Sequence, residues 1–291
     1  MSAVTQAEID QKVFDLYDEY CHGRIDRREF LKRAGAMGML AAATALLPDY
    51  ARAQQVSFTD PRIKASYVTY PSPNGNGTTM RGYLVQPSSG GPHPAVLVIH
   101  ENRGLNPYIE DVARRVAVAG FLALAPDGLA PVGGYPGNDD DGRDMQAKLS
   151  QPKLRTDMLN SARWLKGLKI SSGKLGATGF CWGGGTVNYL ATALGADLQA
   201  AVPFYGAAPD TGAVPYIKAA LLLHFAEHDA RINEMWRTYE EALKKAKVEY
   251  KAYVYPGTQH GFHNDSTPRY KPEAAKLAWE RTVEHFRKHL A

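Results

Sequence analysis

Six short apolar runs, none with a regular polar alternation, limit what this chain can fold into more than any other feature. "PAVLVI", "FLALAP", "KLGATGF", "LQAAVPFY", "AALLLHFA" and "YKAYVYP" lie along it, each ending near Gly, Pro or a charged residue. A strand with no polar face is buried on both sides, which is the condition of a parallel sheet covered by helices. Helical segments alternate with these runs. Pro107 and Gly120 bracket "PYIEDVARRVAVAG", and residues 152–168 place Met158, Ala162, Leu165 and Leu168 on one face. "TVNYLATAL", "NEMWRTYEEALKKA" and residues 273–290 read as further helices. The pattern predicts an α/β chain, a mainly parallel, doubly wound sheet with helices on both faces. Ahead of it, "KASYVTYPSPNGNGTTMRGYLVQP" predicts an antiparallel hairpin around an Asn-Gly turn. Residues 128–144 are rich in Gly, Pro and Asp and read as a loop. Ligands of such sheets bind beyond the carboxyl ends of the strands, so the chemistry is sought there.

At one of those ends stands Gly179-Phe180-Cys181-Trp182-Gly183. A cysteine between glycines at a direct strand-to-helix transition has the form of a nucleophile elbow, in which small neighbours permit a sharp turn. The helix that follows brings its N-terminal N–H groups toward the sulfur and favours thiolate. The N–H of Trp182 is then a natural oxyanion donor. A buried cysteine in a glycine-rich turn is the plain alternative. A dinucleotide loop is not, because the G-x-G-x-x-G spacing is absent.

A nucleophile needs a base, and the base needs an orienting carboxylate. "LLLHFAEHDARIN" supplies Asp229 just beyond one strand, with Glu227 as the alternative. "VYPGTQHGFHND" supplies His260 beyond the next, with His263 as the alternative. The order Cys181, Asp229, His260 is that of nucleophile, acid and base in α/β-hydrolases. Cys181, His228, His260 and His263 lack the Cys-x-x-Cys or His-Glu-x-x-His spacing of a zinc site, so no metal is expected. Glu101, immediately after "AVLVIH", is a carboxylate in an apolar setting. It needs a partner such as Arg103 or Arg114, or a function.

A net charge of +4 without a basic run interleaved with aromatics gives no ground for nucleic-acid binding. The N-terminus allows two readings. "DRREFLKRAGAMGMLAAATALL" resembles a twin-arginine export signal, with Asp26 where Ser or Thr is usual, and "ARA" at 51–53 offers cleavage between Ala53 and Gln54. On this reading residues 1–53 engage the export machinery. Residues 54–291 are then a periplasmic or otherwise exported catalytic domain with no membrane attachment. The alternative is a retained helical arm and a cytoplasmic protein, since Ile9, Val13, Leu16 and Tyr20 give residues 5–21 a helical stripe.

The segments "VIHENRGLNPYIEDVARRVAVAGFLALAPD", "GFCWGGG", "AVPFYG", "HDARIN" and "YPGTQHGF" together resemble the dienelactone hydrolase (carboxymethylenebutenolidase) family of the α/β-hydrolase fold, across most of residues 62–290. The resemblance implies Cys181 as nucleophile, His260 as base and Asp229 as its orienter. It implies Glu101 as a carboxylate that influences thiol protonation, and Asn102 as the second oxyanion N–H beside Trp182. Acyl transfer from a small-molecule ester or lactone through a thioester follows, with no cofactor. A thioesterase or small-ester esterase is the nearest alternative activity, and a non-catalytic ligand-binding protein on the same fold is the alternative from another class. Family members that cleave dienelactone carry an arginine four residues after the catalytic histidine, and here that position is Asn264. The departure predicts that neutral esters or lactones are preferred to carboxylated ones. Otherwise Arg269, Arg143 or Arg155 has to hold the carboxylate.

Overall fold

The computed structural model describes residues 9–21, 24–47, 50 and 54–291. Eight strands form one sheet in the order β1-β2-β4-β3-β5-β6-β7-β8. The hairpin strands β1 (Ile63–Pro71) and β2 (Thr79–Pro87) are antiparallel, and β2 is antiparallel to β4 (Leu122–Pro126). From β4 through β3 (His93–Ile99), β5 (Ser171–Phe180), β6 (Ala200–Phe204), β7 (Ala220–His228) and β8 (Tyr250–Gln259) all pairing is parallel. Alternation along β3 shows why its run carries no polar face. Val96 and Val98 enter one core, while Ala95, Leu97 and Ile99 enter the other.

Helices α4 (Pro107–Val118) and α9 (Pro272–His289) cover the first face. Helices α6 (Gln151–Lys166), α7 (Trp182–Leu194) and α8 (Ala230–Ala246) cover the second. One segment departs from the sequence reading. Part of the expected 128–144 loop is helix α5, Asp139–Lys148. Asn138 caps it by accepting from the Asp141 N–H at 2.9 Å, and three aspartates fill its first turn. Acidic residues there complement the helix dipole, a local signal that the abundant Gly and Pro of the segment conceal.

Ahead of the sheet lies an arm of three short helices, α1 (Gln11–Cys21), α2 (Arg27–Ala36) and α3 (Leu40–Ala45). They enclose their own small core of Val13, Phe14, Tyr17, Phe30, Ala34 and Leu46, with Phe30 stacked on Tyr20 at 5.2 Å. Asp26 caps α2 by accepting from the Glu29 N–H at 2.7 Å. Residues 5–8 of the expected first helix, and Ala53 of the expected cleavage site, lie outside the described residues.

Two core histidines make stability depend on pH. His224 bridges Thr282 (3.1 Å) and Tyr255 (2.9 Å), and His263 meets the Tyr108 hydroxyl at 2.7 Å. Burial, reinforced by nearby cations, holds both well below the usual imidazole value of about 6.5. Between their folded values and about 6.5 the unfolded chain binds more protons. Their contribution is therefore present above about pH 6.5 and lost as pH falls, by up to about 1.4 kcal/mol per histidine per unit. His260 works in the opposite sense, because its value is raised and its contribution is lost as pH rises through it. The melting temperature is expected to fall between about pH 7 and about pH 5. A scanning-calorimetry midpoint that rises over this interval would contradict the assignment.

Candidate active site

The parallel register lines up the strand ends that carry the chemistry. Ile99 is opposite Gly179, Phe180 opposite Phe204, Phe204 opposite His224, and His228 opposite Gln259. Glu101, Cys181, Tyr205, Asp229 and His260 therefore emerge along one edge.

Cys181 joins β5 to α7 with φ 55° and ψ −113°. A non-glycine residue in this region costs about 1–3 kcal/mol and persists only where its surroundings fix it. The Cys181 N–H donates to the Phe204 carbonyl at 3.1 Å, and the Gly185 N–H donates to the Cys181 carbonyl at 3.0 Å. The glycines let the start of α7 wedge between neighbouring strand ends. A Cβ on Gly179 would lie 2.5 Å from the Gly183 oxygen, and one on Gly183 would lie 2.4 Å from the Ile99 oxygen. Trp182 opens α7, where first-turn N–H groups have no partner within the helix. Its ring stacks on His100 at 5.4 Å and its indole N–H donates to Gln151 at 3.2 Å.

The two choices the sequence leaves open are separated by contacts. His260 Nδ1 lies 2.6 Å from Asp229 Oδ2, with both residues buried. His260 also hydrogen-bonds Cys181. Burial disfavours charge on His260, but the charges of Asp229 and Cys181 and both hydrogen bonds outweigh it. Its pKa is pushed well above the ordinary imidazole value. The alternatives are engaged elsewhere. His263 packs in the core on Phe180 and Tyr108, and the exposed Glu227 accepts from the Gly257 N–H at 2.7 Å.

Glu101 is buried, and Asn264 Nδ2 donates to its Oε2 at 3.2 Å. Burial pushes its carboxyl above the usual range, Arg103 and Arg269 pull it back, and Cys181 pushes it further up. His100 fixes the preceding turn. Its Nε2 accepts from the Gly128 N–H at 3.0 Å while Nδ1 faces the Glu101 carbonyl, and burial lowers its pKa. Its ring is therefore neutral, with the proton on Nδ1. Asn102 donates its side-chain amide to the carbonyl of Cys21 in the arm at 2.8 Å.

Two cavities meet at this edge. One, of about 370 Å³, is lined by Cys181, Trp182, Tyr189, Ala208, Arg155 and Arg231 among others. The second, of about 490 Å³, lies between the arm and the histidine side, and its lining includes Phe14, Asp18, Asp229, His260, Arg231 and Arg269. Of the arginines expected to meet a substrate carboxylate, Arg155 lines the first cavity, where it lies over the Tyr189 ring at 5.3 Å. Arg269 lines the second and lies over the Tyr17 ring at 4.7 Å. Arg143 lines neither. Its guanidinium donates to the Tyr20 carbonyl at 3.0 Å and pairs with Asp140 at 3.4 Å. Asn264 lines neither as well, because its amide is spent on Glu101. The first cavity also holds two guanidinium groups, those of Arg155 and Arg231. Sequence reasoning missed Arg231, two residues after Asp229 in "HDARIN". Its position at the start of a helix beyond a strand end was the available signal. Among the described residues no group of His, Cys, Asp and Glu could hold a metal ion. Among them, too, no helix is long and apolar enough to cross a membrane.

Comparison with known proteins identifies relatives of the chain. Residues 80–290 match the dienelactone hydrolase family model, and residues 1–38 match a second model described as YqhI-like. The chain is 33% identical over 246 residues to the "Putative carboxymethylenebutenolidase" of Synechocystis sp., covering 78% of this chain and 98% of that protein. It is 66% identical over 114 residues to the "Putative hydrolase fragment YghX" of Escherichia coli, covering 39% of this chain and 97% of the fragment. Among solved structures, the "Putative Dienelactone Hydrolase" of Klebsiella pneumoniae superposes with a TM-score of 0.68 at 28% identity, covering 78% of this chain and 99% of that one. The fold is that of the α/β-hydrolases, and the chain belongs to the dienelactone hydrolase family, hydrolases of ester and lactone bonds.

Proposed function

We propose that the protein hydrolyses a small-molecule ester or lactone by transferring its acyl group to Cys181 and then to water. The observation that carries this reading is the contact chain Cys181–His260–Asp229, with the cysteine at a strained elbow in the wall of a cavity. In the first half-reaction the thiolate sulfur bonds to the carbonyl carbon and the carbonyl π pair moves onto oxygen. The backbone N–H groups of Trp182 and Asn102 receive that oxyanion. As the pair returns, the C–O bond breaks and the His260 imidazolium delivers its proton to the leaving oxygen. In the second, His260 takes a proton from water, whose oxygen displaces the sulfur from the thioester, and the proton returns to the histidine–thiolate pair. Asp229 holds the imidazole and favours its charged form. Glu101 sits where its charge opposes that of the thiolate, so its protonation or withdrawal raises thiol reactivity. No step requires a cofactor.

Alkylation tests the nucleophile. Iodoacetamide should label Cys181 well ahead of Cys21, which is buried, and activity should disappear in step with Cys181 labelling. Peptide mapping against residual rate provides the check. Full activity in protein labelled at Cys181 would remove the thiolate from the mechanism.

A further inference from the structure

We infer that the N-terminal arm is a wall of the active site that seats the alcohol portion of the substrate and favours a polar, hydroxyl-bearing leaving group. This rests on the acyl-transfer reading above. The arm is joined to the residues beside the reacting groups. Gln11 and Gln259 exchange side-chain hydrogen bonds at 3.2 and 2.6 Å, and Gln259 immediately precedes His260. The Cys21 carbonyl holds Asn102, the residue after Glu101. Tyr17 lies under Arg269, and Tyr20 meets Arg143 through its carbonyl and its ring. Such ties hold the arm against the site as one wall of the second cavity.

The chemistry assigns the two cavities different halves of the substrate. Attack at sulfur leaves the acyl group on the Cys181 side. The proton that releases the alcohol comes from His260, so the leaving oxygen faces the histidine. The walls differ accordingly. Around Cys181 they mix Trp182, Tyr189, Ala208 and Ile232 with Arg155 and Arg231, the latter shared with the second cavity, so that this side offers more apolar surface for a compact acyl group than the arm side does. On the His260 side the arm contributes Asp15, Asp18, Glu19 and Arg24, opposite Arg231 and Arg269. A hydrocarbon leaving group there would strip water from charged groups and return no hydrogen bonds, whereas hydroxyl groups replace the lost ones.

The test compares kcat/KM for the 2-hydroxyethyl and propyl esters of one short-chain acid, using the full chain. Wild type is measured beside Asp18→Ala and Gln11→Ala, with folding followed by circular dichroism. The ratio of variant to wild-type preference cancels the difference in intrinsic ester reactivity. The hydroxyethyl preference should fall by at least about threefold in each folded variant. Intact mass of the enzyme from its own cell should include residues 11–47. An unchanged preference in the folded variants, or a native enzyme beginning at Gln54, would overturn the proposal. The acyl-transfer reading stands or falls separately, on whether Cys181→Ala loses both activities.

Discussion

Cys181→Ala is expected to fold normally and to lose kcat/KM by roughly 10⁴- to 10⁶-fold, the scale on which removal of a nucleophile acts when base and oxyanion donors remain. Folding should survive because nothing that shapes the elbow is sulfur. The turn is held by the Cys181 N–H on Phe204, the Gly185 N–H on Cys181 and the close approach of Gly179 to Gly183. Alanine adopts the same positive φ at a cost like that of cysteine. Cys181→Ser should recover little, since a hydroxyl ionises far less readily than a thiol beside the same imidazole. Initial ester-hydrolysis rates and a thermal melt decide the matter. A variant within about tenfold of wild type would place the nucleophile elsewhere.

Gly183→Ala is expected to cost about 3 kcal/mol or more of stability, with a drop in melting temperature of roughly 6–12 °C. Its Cβ would meet the Ile99 oxygen at 2.4 Å and the His100 oxygen at 2.5 Å. Both are backbone atoms, so relief requires moving the strand end that leads into Glu101 and Asn102. Activity should therefore fall together with stability. Gly185→Ala is the contrast. Its nearest neighbour would be Ala207 N at 3.4 Å, an ordinary contact, and alanine is the better helix former by roughly 0.5–1 kcal/mol. That variant should melt at or slightly above the wild-type temperature. Equal losses at both positions would show that general loosening of the helix, rather than the wedge, governs the elbow.

The interior of the parallel sheet, β3 and β4 through β7, was readable because its strands are buried over most of their length and the sequence shows this as an unbroken apolar run. By contrast "YKAYVYP", which reads as a buried strand, is the edge strand β8 and exposes Lys251 and Val254. The elbow was readable because close backbone approach demands glycine at fixed offsets from Cys181. In sequence, His260 is preferred to His263 for its loop position alone, since both stand beyond β8 and both are buried. Only the three-dimensional path sends one toward Asp229 and the other toward Tyr108. The placement of Asn264 was not readable for a related reason: the chain turns its amide onto Glu101, and no one-dimensional offset encodes that direction. Helix α5 was hidden by composition, because three aspartates read as a loop unless the cap at Asn138 is recognised first.

Trp182 gives the enzyme a built-in optical reporter. The chain has four tryptophans. Trp164 stacks on Tyr70, Trp236 packs near Phe225 and Trp279 near His263, all away from Cys181. Trp182 alone among them faces the Cys181 cavity, and its indole lies on an imidazole held neutral by its surroundings. Its emission is therefore expected to respond to whatever occupies the sulfur. Formation and decay of a covalent intermediate should appear as a transient in stopped-flow fluorescence, without a chromogenic substrate.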